Sequence, residues 1–233
     1  LLYEALGGIW RLEELNALGL KKENAELVQL SFEERYDPVE KLYTDLAYWI
    51  DLRDGEISYS ANYRPEKAAK YIRSEDSSFS LLRAESVSIY PAAEGELRRI
   101  RWEKASLGEI PPESFSRIRS FSETELREAL KKAKAQLKNT LSDNTFGILI
   151  QYKRIGESGE GKLYLEDRLG ERIRLSEDAG NDTALFSLRA LPYPGLFREQ
   201  VLFGLVRYER KGEELLLLPR SIVTERGIVR LMF

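Results

Sequence analysis

Phe146-Gly147-Ile148-Leu149-Ile150-Gln151-Tyr152 reads as a buried β-strand, short, apolar and rich in isoleucine and aromatic residues. Lys162 to Glu166 and Glu171 to Leu175 read as two more strands. Ala184 to Leu191 reads as a short helix ended by Pro192. Val201 to Arg210, Glu213 to Leu218 and Ile228 to Phe233 read as strands again. Three strands, a helix and further strands follow the order of a small OB-like β-barrel.

Working upstream, Phe121 to Lys138 is predicted as a helix. Ser122 and Glu125 have the spacing of a capping box, and Leu126, Leu130, Ala133 and Leu137 form an apolar stripe. A boundary is expected within Asn139 to Asn144. The domains are then an α+β meander domain over 1–141 and a small all-β barrel-like domain over 142–233. In the first, Leu1 to Leu20 reads as helix. Leu27 to Phe32, Tyr43 to Leu52 and Glu56 to Tyr63 read as a β-meander turned at Arg53-Asp54-Gly55. Pro65 opens a predicted helix over Glu66 to Arg73. Ser80 to Tyr90 and Leu97 to Trp102 pair as a hairpin around Glu94-Gly95, and Pro111-Pro112 marks a break. No internal repeat stands out. The fold class is therefore α+β: a meander with helices, then a central helix and an OB-like barrel.

Composition narrows the chemistry. The chain of 233 residues has no Cys and no His, which excludes disulfides, thiolate or imidazole metal ligands, thiol nucleophiles and the usual neutral-pH general base. Its 36 basic and 39 acidic side chains leave a net charge of −3, so an overall nucleic-acid footprint is lacking. No run is long enough for a membrane helix, and the longest aliphatic run, Leu215 to Leu218, is strand-sized. The first residue is Leu1 and the single Met is Met232, which predicts further chain upstream.

Several local patterns are candidate sites. Gly156-Glu157-Ser158-Gly159-Glu160-Gly161-Lys162 has P-loop spacing, but Leu163 replaces the Ser/Thr and a strand follows where a helix is required. A hairpin loop is the expectation. Asp51, Asp54 and Glu56 crowd one turn and Glu177, Asp178, Asn181 and Asp182 another. Neither has the spacing of a calcium loop, so both read as turn residues and no metal or other cofactor is expected. Catalytic residues are expected to be absent. The candidate binding residues are basic: Arg64, Lys67, Lys70 and Arg73 after one aromatic strand, and Arg98, Arg99, Arg101 and Lys104 around Trp102. Strand alternation puts Arg99 and Arg101 on one face and Ile100 and Trp102 on the other. Tyr59, Tyr63, Tyr71 and Tyr90 surround these segments. Arg127, Lys131, Lys134 and Lys138 make a further basic stripe on the predicted helix.

Three stretches carry a family resemblance: Asn62 to Ile72, Ser88 to Tyr90 with Leu97 to Glu103, and Ser221 to Leu231. Together they resemble the region downstream of the zinc finger in bacterial SWIM zinc-finger family proteins. The resemblance implies an adaptor or scaffold acting with MoxR-type AAA+ ATPases and von Willebrand A-domain proteins. The family's zinc ligands are Cys and His, so none can be carried to this chain. The expectation is a non-enzymatic, cytoplasmic assembly protein that binds a protein partner. The alternative is a nucleic-acid-binding module using the basic segments and a small barrel. Third comes an enzyme using carboxylates or the Gly156–Lys162 loop.

Overall fold

The computed structural model describes residues 10–92, 96–136, 145–176, 183–209 and 213–232. The molecule is α+β and mostly strand. The chain divides into two compact units at Ile110–Pro111, not at 141/142. The Pro111-Pro112 break is the seam. The two helices beyond it belong to the second unit because Leu126, Ala129 and Ala133 pack into its core with Ile148 and Ile150.

In the first unit a short helix, α1 (Leu12–Ala17), precedes the barrel. It ends at Gly19, whose φ of +67° is the left-handed conformation that closes a helix. Residues 1–9 of the predicted helix lie outside the described residues. Strands β1 (Lys21–Asp37), β2 (Leu42–Asp51) and β3 (Ile57–Pro65) form the meander expected from sequence. β4 (Leu81–Ile89) and β5 (Arg98–Trp102) pair antiparallel as predicted, and β6 (Ala105–Gly108) extends the sheet along β4. The Glu94-Gly95 turn lies outside the described residues.

The long strand β1 closes the sheet on itself. Lys21 to Val28 pair with β4 while Leu27 to Asp37 pair with β2. A bulge between Gln29 and Ser31 and the positive φ of Asn24 give it the bend this requires. The ring β1-β2-β3-β5-β4 is completed by a short parallel contact, Ser58↔Arg98 and Tyr59↔Arg99. Ala25, Leu27, Phe32, Ala47, Trp49, Leu82, Val87 and Ile100 fill it.

The segment predicted as a helix over Glu66–Arg73 is instead a run of hydrogen-bonded turns, with the Ala68 and Tyr71 amides donating to the carbonyls three residues back. Tertiary hydrogen bonds fix the connection between β3 and β4. The Asn62 side chain donates to the Arg73 carbonyl, and the Glu75 and Ser78 amides donate to Asp45 and Gln29.

In the second unit, α2 (Glu113–Ser120) and α3 (Leu126–Gln136) replace the single helix predicted over Phe121–Lys138. The break arises because Glu123 joins the sheet: its amide donates to Leu149 and its carbonyl accepts from Gln151. The Ser122–Glu125 capping box does not form; the Ser122 hydroxyl donates to the Arg119 carbonyl. Asp167, fully buried, accepts the Leu126 amide at 2.9 Å and caps α3 from a distant loop.

Seven strands follow: β7 (Thr145–Gln151), β8 (Arg154–Glu157), β9 (Leu163–Glu166), β10 (Arg172–Leu175), β11 (Val201–Glu209), β12 (Glu214–Val223) and β13 (Ile228–Arg230). Helix α4 (Thr183–Arg189) lies between β10 and β11. The path is β7-β11-β12-β10-β9-β8, with β10 and β12 parallel. Its two ends, β7 and β8, are separated only by Tyr152 and Lys153. The Tyr152 amide donates to Gln200 and the Lys153 amide to Glu166, so they are two halves of one bent strand switching partners. The second unit thus repeats the strand order of the first, the OB-like order expected here. What the sequence reading missed is that the first unit has it too.

Gly204 sits at the register shift in the antiparallel β11–β12 pairing. A Cβ there would sit 2.7 Å from the Leu218 carbonyl oxygen, which is backbone and cannot turn away. Gly204→Ala is expected to cost about 1–3 kcal/mol, read as a lower midpoint in urea unfolding. No helix among the described residues is long and apolar enough to cross a membrane.

Candidate nucleic-acid interface on the first barrel

β5 sets the geometry. Ile100 points into the barrel and Trp102 packs edge-on against Trp49, ring centroids 5.2 Å apart. Alternation then turns Arg99 and Arg101 outward. Ser88 of β4 lies opposite Arg101, and Lys21 of β1 lies opposite Ser88, which aligns Lys21, Ser88 and Arg101 across three strands. On the other side of β5, Tyr59 of β3 is the register partner of Arg99.

The Arg99 guanidinium lies 4.7 Å from the ring centre of Tyr90 and 5.2 Å from that of Tyr63. Its NH2 makes a long hydrogen bond, 3.4 Å, to the Ala61 carbonyl, and its Nε is buried without a hydrogen-bond partner. Two rings fix the cation by quadrupole attraction, which does not neutralise its charge. Among the described residues no carboxylate pairs with Arg99, Arg101 or Lys104. Beside them is a cleft of about 440 Å³ lined by Lys21, Glu85, Ser86, Ser88 and Arg101 to Lys104.

The other candidates sit elsewhere. Arg64 is buried, held by Asp45 at 2.9 Å through its Nε and also paired with Glu34. Asp45 acts first and the guanidinium pKa rises further above its ordinary value. Arg64 is therefore a core residue and not a surface contact. Lys67, Lys70 and Arg73 are exposed on the β3–β4 connection, with Lys70 over the Tyr71 ring at 4.8 Å. Arg98 lies 3.8 Å from Glu56. Trp102 is half-buried in the core cluster. The basic stripe of α3 is partly compensated, Lys131 by Glu128 at 3.6 Å. Lys138 lies outside the described residues.

The carboxylate turn has its cation built in. Lys22 Nζ lies 2.7 Å from Asp51 and 2.6 Å from Asp54. Burial alone would lower the Lys22 pKa, but these carboxylates outweigh it and the pKa rises. The Glu177–Asp182 turn lies outside the described residues. Gly156 to Lys162 is the expected hairpin between β8 and β9, with Lys162 on Glu160 at 2.7 Å.

The second barrel contrasts with the first. Over β8 to β10, Arg154 and Arg172 flank Tyr164, at 5.8 and 4.5 Å from the ring centre, and share buried Glu166. The Arg154 hydrogen bonds, then Arg172, bring the Glu166 pKa to about 2 despite burial. Arg174 pairs with Glu209 and Glu214. A Glu166 carboxyl titration by NMR is expected to give a midpoint of about 2, against about 4.3 for an unfolded chain. With a depressed folded pKa, its stabilisation is complete above about 4.3 and fades as pH falls toward 2. An ordinary midpoint would contradict the paired geometry.

Lys21, Glu85, Ser86 and Ser88 did not emerge from the sequence as site residues. Lys21 reaches the cleft through the β1–β4 pairing, which joins residues more than sixty positions apart and has no local signal. Glu85, Ser86 and Ser88 lie on the β4 side of the expected β4–β5 hairpin, but nothing in their own sequence marks them as lining a cleft.

No protein-family model matches the chain, and no curated protein is significantly similar to it. Among solved structures, a murine DNA-binding protein solved with double-stranded DNA aligns over 90% of this chain and 96% of its own. The identity is 8% and the TM-score 0.32. At that level the likeness carries no argument.

Proposed function

We propose that the first barrel binds single-stranded nucleic acid on its outer β3–β5–β4 face, without catalysing a reaction. The observation that carries this reading is Arg99, clasped by Tyr63 and Tyr90 with no carboxylate partner among the described residues, continuing into Arg101 and the cleft. Aromatic rings beside unpaired cations suit a strand with exposed bases and a charged backbone. Tyr63 is 48% exposed, enough ring for a base to stack on. The net charge of −3 argues against broad duplex binding but not against a local site. A cytoplasmic location accords with this reading. Fluorescence anisotropy with a labelled twelve-nucleotide strand tests it. Affinity is expected to fall with salt, with a log–log slope of about −2 for three phosphate contacts at roughly −0.7 each. Absent or salt-independent binding overturns it.

A second reading is protein assembly, with a MoxR-type AAA+ ATPase or von Willebrand A-domain protein as the partner implied by the family resemblance. It is favoured by exposed aromatics, Tyr71 at 79% and Phe79 at 71%, on the β3–β4 connection. Recovery of such a partner from the native host, lost in Tyr71→Ser/Phe79→Ser, would support it.

A further inference from the structure

The cleft beside Arg99 is not uniformly basic. Lys21, Arg101 and Lys104 line it together with two carboxylates, Glu85 and Glu103, and two hydroxyls, Ser86 and Ser88. Lys21 is offset by Glu23 at 2.7 Å. Among the described residues, Glu85 and Glu103 have no ion-pair partner. Carboxylates in a site that held only phosphates would weaken it by repulsion. They are acceptor-only groups, and they call for a ligand that brings hydrogen-bond donors along with its negative charge. A ribonucleotide does both: the phosphate meets Arg101 and Lys104, and the 2′-hydroxyl donates to a carboxylate. The volume, about 440 Å³, lies within the roughly 300–1,000 Å³ of small-molecule sites.

We propose that this cleft seats one ribonucleotide of the bound strand and makes the barrel prefer RNA to DNA. The 2′-hydroxyl is the group that distinguishes the two polymers at a given site. The inference rests on the nucleic-acid reading above and adds the class of strand.

The test uses the whole chain and two labelled strands of matched sequence, twelve uridines and twelve deoxyuridines, at one salt concentration. The wild type is expected to bind the ribo strand about tenfold more tightly, the scale of one hydrogen bond to a charged group. Glu85→Ala/Glu103→Ala removes two exposed side chains. It is expected to bring that ratio to about one, with affinity for the deoxy strand unchanged or slightly higher. Equal affinities in the wild type, or an unchanged ratio in the double variant, overturn the proposal while leaving nucleic-acid binding in place. Failure of both strands to bind removes the parent reading and the inference with it.

Discussion

Asp45→Ala is expected to destabilise the first unit by about 3–5 kcal/mol, the cost of stranding one member of a buried ion pair. Asp45 is fully buried and accepts from Arg64, from the Asn62 amide group at 3.0 Å and from the Glu75 amide at 2.8 Å. Removing it leaves the buried Arg64 guanidinium with Glu34, whose side chain is 51% exposed. The β3–β4 connection would also lose its anchor at Glu75. Burial works to raise the Asp45 pKa, but Arg64, the Glu75 amide and Asn62 outweigh it, and the pKa lies below the ordinary carboxylate value. Its contribution is therefore present at neutral pH and lost as pH falls below about 3.9 toward the folded value. Denaturant unfolding followed by tryptophan fluorescence, to which Trp10, Trp49 and Trp102 contribute, reads the change. A loss under 1 kcal/mol would contradict the buried-pair account. The double variant Asp45→Ala/Arg64→Met should recover much of it, because the stranded charge is gone.

Asp167→Ala is expected to cost the second unit about 3 kcal/mol, combining a lost, buried helix cap with two part-buried turn amides left unpaired. Asp167 is fully buried, accepting the Leu126 amide with one oxygen and the Leu169 and Glu171 amides with the other, each at 2.9 Å. One side chain thus caps α3 and shapes the β9–β10 turn. The helix sequence supplies no substitute, since Ser122 is turned to Arg119. Asp167→Asn keeps one acceptor oxygen and should cost less. Equal midpoints for wild type and Asp167→Ala would show that α3 does not depend on this cap.

The meander and the second barrel were legible because their signals are local. Alternation over Ile57 to Tyr63 and the strand-length runs after Phe146 each specify an element from neighbouring residues. Closure of the first barrel was not legible. It depends on one seventeen-residue strand serving two partners, and nothing in Lys21 to Asp37 says where the exchange occurs. The α3 start was misread for the same kind of reason: a local capping box lost to the pairing of Glu123 with β7 and to a distant aspartate. In the candidate site, alternation correctly put Arg99 and Arg101 on one face. It could not separate them from Arg64, whose charge is spent on Asp45 inside the barrel.

The most direct test is the affinity of Arg99→Ala/Arg101→Ala for the twelve-nucleotide ribo strand, with thermal unfolding recorded in parallel. The expected result is binding weaker by about tenfold or more, a salt slope shallower by about 1.4 for two lost phosphate contacts, and a single cooperative transition whose midpoint falls by only a few degrees, from the lost Tyr63 and Tyr90 contacts of Arg99. Wild-type affinity and slope in a folded double variant would show that the strand is not held on this face.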